Sequence, residues 1–171
     1  VMNLVISPFN NYDLHFFGAD FVTLPNGHLI ALDLQPALKD DMIHTLYFVG
    51  KLKNIHNNWQ SKLPSGGDIP LEARQYFSPN FLWSRIPLGA EGEKLINKII
   101  KPAFDDYLDF FLNLVANAKQ NSPERSSKVL IGQKKYMRYR AKKDPARGML
   151  RGYFGSKWTE RYINNILFDL Q

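Results

Sequence analysis

The stretch FFGADFVTLPNGHLIALDLQP, residues 16 to 36, restricts the fold more than any other part of the chain. Aromatic and β-branched residues flank Pro25-Asn26-Gly27, and Asn-Gly tolerates the positive φ that a tight hairpin turn requires. Two antiparallel strands are predicted, Phe16 to Leu24 and His28 to Gln35. Alternation puts Phe16, Gly18, Asp20 and Val22 on one face and Phe17, Ala19, Phe21 and Thr23 on the other. Both faces are apolar enough to be buried, so Asp20 is a carboxyl where water is scarce, and burial favours its protonated form. Such a group can donate a proton; the alternative is a core carboxylate satisfied by hydrogen bonds or by an arginine. Gly18, on the same face, removes a side chain and opens the backbone to a flat ligand. The register leaves Asp33 undecided. A two-residue Asn26-Gly27 turn sets Asp33 opposite Asp20, whereas a three-residue Pro-Asn-Gly loop sends the two carboxyls to opposite faces.

Around the hairpin, Met2 to Ile6 reads as a strand ended by Ser7-Pro8, and another strand is expected before Pro87. Helical spacing of apolar residues predicts a helix over 40–62 and a long helical stretch over 91–119 that Pro102 should kink or split. A polar linker, QNSPERSS, leads to a helix over 128–143 that ends at Asp144-Pro145, and a last helix runs over 156–168 with Ser156 as its N-cap. Strands first and helices later argue for an α+β fold, an antiparallel sheet covered by helices, in one domain of 171 residues. The opening VMNLVISPF has the pattern of neither a signal nor a transit peptide and reads like a core strand entered midway. Further sequence is expected to precede Val1.

Several chemistries are excluded or unsupported. With no cysteine, the chain offers no thiolate nucleophile and no Cys-held zinc or iron–sulfur cluster. His15, His28, His44 and His56 lack metal-site spacing, and His44 and His56 are expected on a partly solvated helix. Phosphate-binding and dinucleotide-binding loops are absent from the sequence. No apolar run approaches the ~20 residues a membrane helix needs. The net charge of +6 favours an acidic partner, and the positive field is concentrated late: between Lys128 and Arg161 the only acids are Asp144 and Glu160. Bases interleaved there with Tyr136, Tyr139, Tyr153 and Trp158 could serve a nucleic-acid surface, or simply a solvated helix face.

Four motifs in order join these pieces: NNYDLHFFGADFV, LIALDLQP, QYFSPNFLWSR and YRAKKDPARGML followed by FGSKWTERYINNILFDL. Together they resemble the ferredoxin-dependent bilin reductases, from the first strand to the C-terminus. The resemblance implies an α/β/α sandwich with bilin held between the sheet and the C-terminal helices, lacking the family's initial helix and first strands. It implies that Asp20, in the F-G-x-D motif, protonates the bilin, and that Asp144 faces the pocket from the C-terminal helices as a second donor. It also implies no bound metal or flavin: single electrons come from reduced [2Fe–2S] ferredoxin and alternate with proton transfers. Asn3 stands where the phycocyanobilin-forming branch has a catalytic histidine, which argues against that branch. The resemblance points instead to the A-ring reducers and to conversion of 15,16-dihydrobiliverdin to phycoerythrobilin, with 15,16-reduction of biliverdin or phytochromobilin formation as alternatives. Arg85 is expected to hold a substrate propionate, and Arg140 to orient Asp144 or a pyrrole carbonyl. The remaining C-terminal bases suit docking of ferredoxin, an acidic protein. On this reading the protein is a monomer that needs neither nucleic acid nor membrane, in a plastid stroma if algal or plant and in the cytoplasm if cyanobacterial.

Overall fold

The computed structural model describes residues 1–144 and 146–168. Pro145, expected to fix a helix end, and residues 169–170 of the last motif lie outside them. Four strands form an antiparallel meander in the order β1 (Met2–Ile6), β2 (Phe16–Leu24), β3 (Gly27–Gln35) and β4 (Leu82–Ile86). The hairpin takes neither of the two expected registers. Leu24 pairs with Gly27, so Pro25 and Asn26 make the turn, Gly18 faces Asp33, and Asp20 faces Ala31 and, on its other side, Asn3. Proline at the first central position suits a turn whose φ it already fixes. Asp33 therefore shares the face of Asp20, diagonally across from it rather than opposite.

One sheet face carries Phe17, Ala19, Ile30, Leu32, Leu34 and Leu82 into the main core. Helices α2 (Lys51–Gln60) and α5 (Lys101–Ala116) cover that face, with Phe104 and Phe111 of α5 against Phe17. Each fully buried large side chain contributes about 1.5–3 kcal/mol of transfer free energy. On the opposite face lies α6 (Pro123–Lys143), anchored where Tyr136 packs on Phe16 with ring centroids 4.5 Å apart. After α6 come α7 (Arg147–Phe154) and α8 (Ser156–Tyr162). The expected α/β/α sandwich is thus observed.

Helix boundaries are less well anticipated. The helix expected over 40–62 is divided into α1 (Met42–Thr45), a 3₁₀ turn at Leu46–Phe48 and α2, because Val49 is extended and Gly50 has a φ of 72°. Pro102 neither breaks nor splits its helix: α4 (Ala90–Leu95) runs through a π turn at Ile96–Ile100 into α5, and the wider turn accommodates the missing amide hydrogen. Helix α6 begins earlier than expected, because Ser122 caps it by accepting the Arg125 amide at 3.2 Å and Pro123 occupies the first turn. A short α3 (Leu71–Arg74) and α7 lie in stretches where no helix was expected. At α8 the cap is Gly155, φ 77°, not Ser156, and the helix passes into a π turn at Ile163–Leu167 instead of running unbroken to 168.

His44 is fully buried rather than partly solvated, in a polar cluster at the end of the sheet. It accepts the Ala37 amide at Nε2, 3.1 Å, so the ring proton is on Nδ1 and is donated to Asp13 at 2.5 Å. His15 donates from Nε2 to the His44 carbonyl at 2.7 Å. Arg125 of α6 bridges Asp13 and Asp41, and so ties the segment before β2 and the start of α1 to α6.

Candidate active site

Between the sheet and the C-terminal end of α6 lies a cavity of about 320 Å³. Strand alternation determines what reaches it: Asn3 from β1, Gly18 and Asp20 from β2, and Asp33 and Gln35 from β3. From α6 come Tyr139, Arg140, Lys143 and, at the helix end, Asp144. Phe77, Phe81 and Trp83 form an aromatic wall, with Phe77 stacked on Phe81 at 4.0 Å and Phe81 on Trp83 at 5.6 Å. The structure therefore brings together five of the six residues singled out in the sequence: Asn3, Gly18, Asp20, Arg140 and Asp144. Arg85 is not among the lining residues. It pairs with Leu29 on the cavity side of β4, but further along the strand and exposed.

Asp20 is half-buried, and its Oδ1 is fully covered without a hydrogen-bond partner among the described residues. Burial raises its pKa above the ordinary carboxyl value, and the positive charge of Arg140 partly offsets this. Such a carboxyl is available to hold and release a proton. Asp144 is differently held: at the C-cap of α6 its Oδ1 accepts the Ala146 amide at 2.9 Å, which fixes the carboxyl at the cavity edge. One acid thus approaches the cavity from the sheet and the other from the helices.

Asp33, left undecided by the sequence, is buried and anchored. Its Oδ2 accepts the Ser78 amide at 2.8 Å and its Oδ1 accepts the Ser78 hydroxyl. Burial pushes its pKa up to about 7 despite these bonds. It thereby fastens the loop between Phe77 and Phe81 to β3.

The aromatic wall, Tyr139 and Lys143 carry no sequence signal that marks them as site residues, and neither do Gln35 and Tyr136, which support the site from behind Gly18. The space beside Gly18 is not empty: a Cβ there would lie 3.1 Å from Gln35 Oε1. That oxygen accepts the hydroxyl of Tyr136, which in turn accepts Arg140 Nη1 at 3.2 Å. Tyr136 was legible only as one aromatic within a basic run. Its ring, and that of Tyr139, stacked on Tyr76 at 4.2 Å, are occupied by protein partners rather than presented to bases. Part of the basic surplus is also paired internally: Arg147 and Arg151 with Glu160, and Lys143 with Glu72. Among the described residues no group of acids and histidines has the arrangement of a metal site, and no helix is long and apolar enough to cross a membrane.

The family model described as ferredoxin-dependent bilin reductase matches residues 1–169. The chain is 74% identical over 171 residues to a phycoerythrobilin:ferredoxin oxidoreductase of Prochlorococcus marinus strain NATL2A, covering 100% of this chain and 66% of that protein. It is 59% identical over 170 residues to the protein of that name from Synechococcus sp. strain RCC307, covering 99% and 65%. It thus spans slightly less than two thirds of the length of these relatives. Among solved structures it resembles selenomethionine phytochromobilin synthase from tomato in complex with biliverdin, with a TM-score of 0.84 and 25% identity over 98% of this chain and 59% of that one.

Proposed function

The chain belongs to the ferredoxin-dependent bilin reductase family, and on that premise we propose that the protein reduces a linear tetrapyrrole with electrons from reduced ferredoxin, converting 15,16-dihydrobiliverdin to phycoerythrobilin. The observation that carries the reading is the cavity that places Asp20 on its sheet wall and Asp144 on its helix wall. Reduction of the A-ring diene consumes two electrons and two protons. Electrons come singly from outside the chain, so what these residues supply is protons and position. Asp20, raised by burial, gives one proton to the bilin, and Asp144 gives the second from the opposite side. Asn3, beside Asp20 across the strand pair, can hydrogen-bond a lactam without titrating. Arg140 meets a bilin oxygen or carboxylate as a charged donor. Arg85, at the exposed end of β4, suits a propionate that extends from the cavity rather than one inside it. The aromatic wall of Phe77, Phe81 and Trp83 accepts the flat conjugated chain. Bases of the C-terminal helices without ion pairs among the described residues suit a brief, salt-sensitive encounter with an acidic electron donor.

Titrating the protein with 15,16-dihydrobiliverdin and then adding reduced ferredoxin tests this reading. A red-shifted, structured absorption band on binding, followed by chromatographic recovery of phycoerythrobilin, is expected. Binding with no A-ring product would remove the assigned reaction, and an unchanged spectrum would remove the bilin site.

A further inference from the structure

Arg140 has an unusual environment. Its guanidinium shares the cavity with Asp20 and Asp144, yet among the described residues no carboxylate lies within ion-pair distance of it. It donates instead to the Tyr136 hydroxyl oxygen and lies 5.9 Å from the Phe168 ring. Tyr136 can accept because its own proton is committed to Gln35 Oε1, and Gln35 fits there because Gly18 carries no side chain. Tyr136 is 2% exposed and Gln35 5%. Burial keeps the tyrosine hydroxyl above its ordinary pKa and therefore neutral. Donation thus runs one way, from Arg140 through Tyr136 to Gln35, and its Arg140 end shares the cavity with an aspartate whose buried oxygen has no partner among the described residues.

We propose that Gln35 and Tyr136 are positioning residues that hold the Arg140 guanidinium back from Asp20, so that Asp20 stays unpaired and able to carry the proton it delivers. The proposal rests on the reading of Asp20 as proton donor and adds to it the device that preserves that state. A guanidinium in contact with a carboxylate holds it ionised, lowering its pKa by about 1–3 units, and an ionised Asp20 has nothing to give. The other charged or titratable groups on the cavity walls are Asp33 of β3, Asp68 of the segment before α3, and Tyr139, Lys143 and Asp144 of α6. Lys143 is engaged by Glu72 at 2.6 Å and Asp33 by Ser78. Arg140 is therefore the cation positioned to collapse onto Asp20.

The test follows the carboxyl of Asp20 directly, by ¹³C resonance or carbonyl infrared absorption in the ligand-free protein, with Asp20→Asn to assign the signal. Tyr136→Phe keeps the ring on Phe16 and removes only the hydroxyl; its Asp20 midpoint is expected to fall by about one pH unit or more. Gln35→Leu, which leaves Tyr136 its hydroxyl but no acceptor, is expected to shift the midpoint in the same direction. Adding Arg140→Gln to Tyr136→Phe should restore the higher midpoint, because the invading charge is gone. A midpoint that does not fall in Tyr136→Phe, or a fall that persists in the double variant, overturns the proposal. Neither substrate nor ferredoxin enters this measurement, so it is independent of whether the bilin reaction occurs. Conversely, if turnover depends on Asp20 while the midpoint fails to move, the functional reading stands and the positioning role fails.

Discussion

Asp20 and Asp33 occupy one face of the sheet on neighbouring strands, yet the surroundings give them opposite tasks. Asp33 is held by both the amide and the hydroxyl of Ser78, so its carboxyl fastens a loop. Among the described residues Asp20 makes no such bond, and burial raises its pKa above the ordinary carboxyl value. Gly18 connects the two halves of the site. Gly18→Ala would place a methyl 3.1 Å from Gln35 Oε1, displacing the amide that Tyr136 needs. We expect this variant to lose at least tenfold in turnover with less than twofold loss of bilin affinity, as measured by separate kinetics and absorption titration. Equal losses in both would show instead that Gly18 serves ligand contact alone. Asp20 and Gly18 were legible in the sequence because a two-residue period assigns a face whatever the partners are. Gln35 and Tyr136 were not, since their bond spans 101 residues and no local pattern encodes it. The same limit applies to Arg85: its motif was legible, but its position along β4 relative to the cavity is set by pairing with Leu29.

At the scale of elements, α6 is the critical piece, because it carries Tyr136, Arg140 and, at its end, Asp144. Its seating depends on Gly132, where a Cβ would lie 2.4 Å from the Ala37 carbonyl oxygen. Backbone cannot yield as a flexible side chain can, so Gly132→Ala should push α6 outward. The expected cost is about 1–3 kcal/mol in denaturant unfolding, with turnover reduced more than affinity because the acid and the arginine move together. Unchanged stability would mean that α6 shifts freely and does not set the geometry. The long helices were predictable from apolar spacing. Their continuity was not, because the break at Gly50 and the passage through a π turn before Pro102 depend on what tertiary packing tolerates. A single buried histidine likewise gives no period, and His44 was misplaced for that reason.

For the whole molecule, the sandwich encloses ionisable groups whose effects on stability oppose one another. Burial drives His15 down to about 3, so its contribution is present above the unfolded value of about 6.5 and is lost as pH falls through that window. Asp33, raised to about 7, behaves in the opposite sense: its unfolded form releases the proton near 4, so stability falls as pH rises between about 4 and 7. Asp13, held down by His44 and Arg125 against the effect of its burial, and Asp41, held down by Arg125 and Lys128, add a loss at lower pH. Asp33→Asn removes the compensating slope. Its stability should therefore decline more steeply than the parent's on acidification from pH 7 to 4, as followed by urea midpoints. Parallel pH curves for the two proteins would contradict that account.

Delivery of a proton from Asp20 to a bilin held between the sheet and α6 is tested most directly by removing that proton. Asp20→Asn keeps the size and polarity of the side chain and removes only the transferable proton. With 15,16-dihydrobiliverdin and reduced ferredoxin, the variant should bind the bilin with an affinity within a few-fold of the parent. Its phycoerythrobilin formation should fall by at least about two orders of magnitude, the usual contribution of a positioned general acid. Phycoerythrobilin formation by Asp20→Asn at the parent rate would contradict the account.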